Sequence, residues 1–300
     1  MPASNLKQAY QYCARITREH YENFPVASGL LPRRLRRPIT VIYAYARMID
    51  DYADEGQRNP QQRTALLDEA GHNLTLAALG TPPDQLLYIA MSDVLQQYPS
   101  LLEQLQKLLI AFHQDVVKNR YQDFNEVMAY CQNSANPVGH MLLILFNEDN
   151  DQNIIDSDAI CSSLQLINFL QDIRSDYQQR DRVYLPADEL AMHDINEQDI
   201  NNASNPEAIN QLVNAQSHRI YELLLSGSGL GARLRGRLGL EMRMIILGGA
   251  LILSKVSHAK GDLSCSPRLQ KRDWAWIIFH ALGKRFTIYL QQLKPASLYK

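Results

Sequence analysis

Two short stretches concentrate carboxylates at helical spacing. In residues 164–176 (LQLINFLQDIRSD), side chains four apart lie one above the other on a helix. Gln165, Asn168, Asp172 and Asp176 therefore share an arc of roughly 80°, while Leu166, Leu170 and Ile173 face the other way. Two like charges at i,i+4 are mildly destabilising, and this pair alone reads equally well as a solvated face. The second stretch, residues 43–56 (YAYARMIDDYADEG), places Tyr43, Arg47, Asp50 and Asp54 on one arc with Asp51 and Glu55 beside it, and Gly56 is a natural stop. Four carboxylates thus crowd the last turn of a helix, where the macrodipole is already negative and each anion costs about 0.3–1 kcal/mol. Such a cluster calls for a cation. Paired hard oxygen donors suit Mg²⁺, which leaves its remaining octahedral positions to water and substrate phosphates. Two acidic helices facing each other would hold a diphosphate through metal.

The elements that must position these residues are all helical by pattern. Residues 5–21 read as a helix capped by Ser4, and Pro25, Gly29 and Pro32 then force a connection that carries Asn23 and Phe24. Arg33, Arg34, Arg36 and Arg37 read as a short solvated run at the start of the 39–55 helix. Segments 61–79, 83–98 and 101–120 show apolar residues three and four apart and read as three surface-facing helices. In residues 125–147, small residues and Pro137 to Gly139 sit mid-pattern, which predicts a kinked helix. An acidic, amide-rich loop from Asn147 leads into the Asp172 helix, and residues 191–210 read as a long surface connection or a short helix with loops. Residues 226–232 (SGSGLGA) match a dinucleotide fingerprint only superficially, because the preceding YELLLSG has helical and not strand spacing. A very apolar helix over 238–256 carries Arg243, and a last helix over 269–293 is rich in Trp, Phe and Tyr. That aromatic bulk reads as core, or as a rim that docks on a membrane. No period-2 run or internal repeat stands out. The expectation is an all-α fold, a single helical domain over residues 1–300.

The residues now carry a resemblance. Tyr43 to Asp54, Asn168 to Asp176 and the following Arg182, Val183, Tyr184, Leu185 and Pro186 resemble the two acidic motifs and the R-[VI]-Y-L-P segment of the squalene and phytoene synthase family. HYENFPVAS from His20, YCQNSANPVG from Tyr130 and LEMRMIILGG from Leu240 are similar to the hydroxysqualene synthase branch of that family. The resemblance implies an isoprenoid-synthase bundle around a central pocket, with Asp50, Asp51, Asp54, Asp172 and Asp176 as Mg²⁺ ligands. It implies substrate contacts from Asn23, Phe24, Lys118, Arg120, Tyr130, Asn136, Gly139, Gln165, Gln171 and Arg182. Tyr43, Arg47, Asn168 and Tyr184 become catalytic candidates: Arg47 as a fixed charge, Asn168 and Tyr184 to orient a water. The implied reaction ionises presqualene diphosphate and quenches the carbocation with water to give hydroxysqualene, without NADPH. Aromatic rings, with Phe24, Tyr43, Tyr45, Tyr130 and Tyr184 as candidates, would shield the cation. Condensing members often carry Arg where this chain has Gln171, one charge fewer for diphosphate. The alternatives are head-to-head condensation of two farnesyl diphosphates and, remotely, a non-catalytic helical module.

Composition bounds the rest. A hydrophobic share of 46% over 300 residues supplies a core, and a net charge of −2 with a pI near 6.4 argues against nucleic acid as a partner. Cys13, Cys131, Cys161 and Cys265 form no C-x-x-C pair, so neither zinc nor a disulfide framework is indicated. The amino terminus lacks the apolar run of a signal peptide, and the longest apolar runs fall short of the roughly 20 residues of a membrane span. The expected setting is cytoplasmic, at the periphery of the inner membrane face. The expected partners are a prenyl diphosphate, a membrane surface and neighbouring enzymes of the squalene and hopanoid route.

Overall fold

Some helices of this chain begin where a short polar side chain accepts an otherwise orphaned backbone N–H. Asn59 accepts from Gln62 N–H and receives the Gln62 side chain in return, Asp123 accepts from Glu126 N–H, and Asn150 accepts from Asn153 N–H. The computed structural model describes residues 3–19, 32–263, 266–283 and 285–295. It resolves into two compact units, residues 1–118 with 140–149, and residues 119–139 with 150–300.

The first unit contains α1 (Ala3–Glu19), α2 (Arg33–Asp54), α3 (Pro60–Ala78), α4 (Leu86–Gln97) and α5 (Leu101–Val117). The basic run lies inside the first turns of α2, which starts six residues earlier than its spacing predicts and carries Pro38 within it. Helix α2 packs against α1, α3, α4 and α5 and buries Leu35, Val41, Ala44, Tyr45 and Ile49 completely. Helix α4 corrects the expectation of a surface helix: Leu87 to Ser92 are all buried, together with Val94 and Leu95. Its apolar residues run almost continuously, and such a run signals burial on every side rather than one wet face.

The second unit contains α6 (Phe124–Ser134), the start of α7 (Asn136–Phe146), α8 (Asp151–Gln171), α9 (Ile173–Arg180), α10 (Ala187–Met192), α11 (Glu197–Asn202), α12 (Pro206–Gly227), α13 (Gly229–Arg233), α14 (Gly236–Ser257), α15 (Lys271–Ala281) and α16 (Thr287–Gln292). The kink expected over 125–147 is the break at Ala135 between α6 and α7. The predicted last helix is in fact two, α15 and α16. Helix α15 ends at Ala281 with Leu282 as its C-cap, and buried Phe286 is the N-cap of α16. Helix α8 lies against α6, α12, α13 and α14, and α14 also carries α15 and α16. The glycine-rich stretch at 226–232 is helical, as its spacing requires. A Cβ on Gly227 would stand 2.4 Å from the Asp156 carbonyl oxygen, so these glycines serve close helix packing. Among the described residues no strand forms, and one isolated parallel bridge joins Arg120 to Val183. No described helix is long and apolar enough to cross a membrane.

Arg243 is buried in α14, where its guanidinium donates to the Ala281 carbonyl at 2.5 Å and the Gly231 carbonyl at 2.8 Å. Burial lowers its pKa from the ordinary arginine value. The residue is a tie between the ends of α13 and α15. Arg243→Met keeps the bulk and orphans both carbonyls, so a denaturant titration should register a loss of about 2–4 kcal/mol. A midpoint equal to that of the wild type would remove this role.

Candidate active site

The first acidic motif closes α2. Glu55 is its C-cap, and Gly56 turns the chain away at φ +78°. Because α2 is unbroken here, Tyr43, Arg47, Asp50 and Asp54 keep the shared arc their spacing predicts, all partly buried. Arg47 reaches along that arc to Asp50 at 3.1 Å, Asp51 at 2.6 Å and Glu55 at 2.5 Å. Burial works against the Arg47 charge, but Asp51, Asp50 and Glu55 together outweigh it and raise its pKa. Part of the positive charge that the cluster calls for is therefore supplied by the protein. Arg63, which the sequence reading missed, supplies more. From α3 it donates to the carbonyls of Ala53 and Gly56 at the end of α2, where a cation meets the negative end of the helix. The Arg63 signal was weak, because a residue nine positions beyond a helix end has no fixed spacing to it. Tyr45 is fully buried in the core of this unit, edge-to-face against Tyr88 at 6.4 Å.

The second acidic motif departs from the expected straight helix. The path breaks at Asp172, whose φ of −115° and ψ of 18° fall between helical and extended values. The ladder still runs across the break, from Asp172 N–H to the Asn168 carbonyl and from Asp176 N–H to the Asp172 carbonyl. The segment between α14 and α15 holds the break on both sides: Ser266 donates to Asp172 Oδ1 at 2.8 Å, and the Gln171 amide donates to the Pro267 carbonyl at 2.5 Å. Neither Ser266 nor Pro267 carries a sequence signal, since both lie more than 90 residues away in the chain. Asp176 is shielded, with 15% side-chain exposure, and pairs with Arg180 at 3.5 Å. Asn168 is exposed and Gln165 half-buried on α8. A cleft of about 350 Å³ lies beside the break, between Leu170, Gln171, Arg174, Val256, Leu263 and Pro267.

The R-V-Y-L-P segment is clamped against the residues that follow α5. Val183 N–H donates to the Asn119 carbonyl, and Ala187 N–H donates to the Tyr121 carbonyl, both at 2.9 Å. This pairing builds an aromatic cluster. Tyr184 stacks on Phe169 at 3.7 Å with an interplanar angle of 6°, and lies 5.6 Å from Tyr121 and 5.7 Å from Tyr130. A cavity of about 220 Å³ opens beside the stack, against Val127, Leu166, Phe169, Tyr184, Leu185 and Ile220. Phe169 and Tyr121 belong to this cluster with the expected Tyr130 and Tyr184. Phe169 was hidden in the apolar side of its own helix.

The remaining candidates fall in varied places. Asn136 is buried and accepts from the Ser162 hydroxyl at 2.9 Å. A Cβ on Gly139 would stand 2.2 Å from Ser157 Oγ, so this glycine admits close packing on α8. Arg182 is buried, and Lys118 is the C-cap of α5 rather than part of its last turn. Arg120, also beyond α5, is engaged by Glu197 at 2.5 Å and Asp181 at 2.7 Å and lies over the Tyr177 ring. Hydrogen bonding to Glu197 raises the Arg120 pKa and lowers that of Glu197. Asn23 and Phe24 lie outside the described residues.

The donor set fits Mg²⁺. Each motif offers hard carboxylate oxygens on one helical face, and among the described residues no three His, Cys, Asp or Glu side chains converge as a self-sufficient metal cage. One or two carboxylates with water and substrate phosphates is the usual manner of holding this ion.

The profile of the squalene/phytoene synthase family matches residues 17–275. The chain is 34% identical over 225 residues to a hydroxysqualene synthase of Rhodopseudomonas palustris and 31% identical over 225 residues to one of Zymomonas mobilis, covering 75% of this chain and 75% of each relative. The crystal structure of squalene synthase HpnC from Alicyclobacillus acidocaldarius matches with a TM-score of 0.79 at 29% identity, over 87% of this chain and 97% of that one.

If Ser266 sets the Asp172 carboxylate for metal, Ser266→Ala should weaken the stabilisation that Mg²⁺ with inorganic diphosphate gives in a thermal melt, raising the half-saturating Mg²⁺ about fivefold, as expected for one hydrogen bond. The metal-free melting temperature should stay in place, and Ser266→Thr should restore the wild-type curve. An unchanged Mg²⁺ midpoint would leave Ser266 no part in the site.

Proposed function

The chain belongs to the squalene/phytoene synthase family, and from that premise we propose that it converts presqualene diphosphate and water into hydroxysqualene and diphosphate. What favours this reaction over condensation is Gln171. The position that often bears Arg in condensing members carries an amide, bonded to the Pro267 carbonyl. One positive charge fewer stands beside the second motif to receive a further diphosphate. The similarity to hydroxysqualene synthases supports the same choice.

Asp50, Asp51 and Asp54 with Asp172 and Asp176 would hold Mg²⁺ against the diphosphate oxygens. Bound there, the metal supplies Lewis-acid neutralisation of the departing charge. Arg47 keeps Asp50 and Asp51 in place while adding a fixed positive charge. We assign diphosphate contact to Lys118 and Arg182, and to Arg120 the bracing of Asp181 and Glu197. The Tyr121, Tyr130, Phe169 and Tyr184 rings exclude water and present π-faces to the carbocation. Tyr184 and the exposed amide of Asn168 orient the water that ends its lifetime. The product is a long hydrocarbon alcohol that partitions into lipid, so we place the protein's work at a membrane surface, beside the enzymes that make presqualene diphosphate and consume hydroxysqualene.

Purified protein supplied with Mg²⁺ and presqualene diphosphate, without nicotinamide cofactor, should yield hydroxysqualene by mass spectrometry and nothing from farnesyl diphosphate. A product from farnesyl diphosphate moves the protein to the condensing branch, which the breadth of the family keeps as the second reading. Asp50→Asn or Asp172→Asn should slow turnover by about a thousandfold, equivalent to ~4 kcal/mol of barrier, with the melting temperature nearly unchanged. Unfolding of these variants would make the acids structural instead.

A further inference from the structure

Helix α15 buries one stripe and exposes another. Asp273, Ile277 and Ala281, spaced by four, are buried, and α15 packs against α14. The opposite arc carries Lys271 and Arg272 at its start, then Ile278, Phe279 and Leu282, which are 47%, 70% and 65% exposed. Large apolar side chains in contiguous positions, open to water and rimmed by charge, mark an interaction surface. The acid of the first turn does not dilute the positive rim: Asp273 is turned inward and ion-paired with Lys255. Beyond the helix Arg285 is exposed as well, so every described charge on the outward side of this element is basic, in a chain whose net charge is −2.

We propose that the outward face of α15 docks the protein on an anionic lipid bilayer, with Phe279 and Leu282 entering the acyl boundary and Lys271 and Arg272 meeting the headgroups. This rests on the reading that the product is a membrane-soluble alcohol. The outward face of α15 has the polarity of an interfacial surface, apolar on one arc and basic at the flank. Half-buried Trp276 and Tyr289 stand beside it, with His280 between them at 4.3 Å and 4.1 Å, and such rings with polar tips favour the headgroup level. Charge selects lipid over a second copy of the chain. A second copy would present the same basic rim and no described outward acid to answer it.

Flotation with vesicles of phosphatidylcholine alone, and of phosphatidylcholine mixed with phosphatidylglycerol, tests this without substrate. The wild type should float with the anionic vesicles, and the double variant Phe279→Glu, Leu282→Glu should bind at least tenfold more weakly. Lys271→Gln with Arg272→Gln should erase most of the preference for anionic lipid, roughly fivefold per charge. All variants should melt like the wild type and turn over presqualene diphosphate normally in detergent. The proposal is overturned if the wild type stays in the aqueous fraction with anionic vesicles, or if the double glutamate variant floats undiminished. It is equally overturned if the vesicle-free protein sediments as a dimer that this variant splits, which would give the face to a second copy. Failure of turnover with intact flotation would instead strike the enzymatic reading alone.

Discussion

Carboxylates gathered at helix breaks are the constraint on which the rest of this structure depends. Asp50, Asp51, Asp54 and Glu55 sit where the backbone of α2 is already negative, and that arrangement survives because Arg47 spans three of them while Arg63 covers the carbonyls beneath. The bases make this crowding of acids tolerable. The buried stripe of α2, Leu35 through Ala53, fixes the helix against four neighbours, so the direction of the acidic arc is set by packing and not by the charges themselves.

A similar division of labour shapes the second unit. The isolated parallel bridge between Arg120 and Val183, with the bonds that Val183, Ala187 and Asp188 donate to residues 119, 121 and 122, delivers Tyr121 and Tyr184 to the same place. Phe169 arrives from α8 and Tyr130 from α6. Stacking at 3.7 Å between Phe169 and Tyr184 leaves no room for water between the rings, a requirement for any site that must shelter a cation. Phe169 is also three residues before Asp172, which couples the aromatic wall to the second acidic motif through less than one helical turn.

Much of this was legible in the sequence, and the reasons for the remainder are specific. The stop at Gly56 and the break at Ala135, close to Pro137, are local properties that spacing shows, whereas the early start of α2 and the split of the last helix are not. The two motifs were legible because four-residue spacing on a helix is a geometric statement. What failed were judgements of environment. The continuous apolar run in α4 reads by spacing as a one-sided helix yet is buried all round, because periodicity reports which residues share a face but not what covers it. Ser266, Pro267 and Arg63 were invisible for another reason. Each acts across a tertiary contact whose partner no local pattern specifies.

The two motifs are supported by different chemistry, and the difference has a consequence. Arg47 answers the first cluster with a full positive charge, so this helix end is partly neutralised before any ligand arrives. At the second, Ser266 is a neutral donor to Asp172, and the Gln171 amide spends itself on a carbonyl rather than on the acids. A neutral donor fixes the orientation of a carboxylate without cancelling its charge, and a cation does both. Asp172 is thereby oriented by a neutral partner within a bent helix, and the 266–267 segment joins the backbone ladder in holding that bend. The position of that segment, between α14 and α15, makes the geometry of the second motif a property of the whole second unit rather than of its own helix.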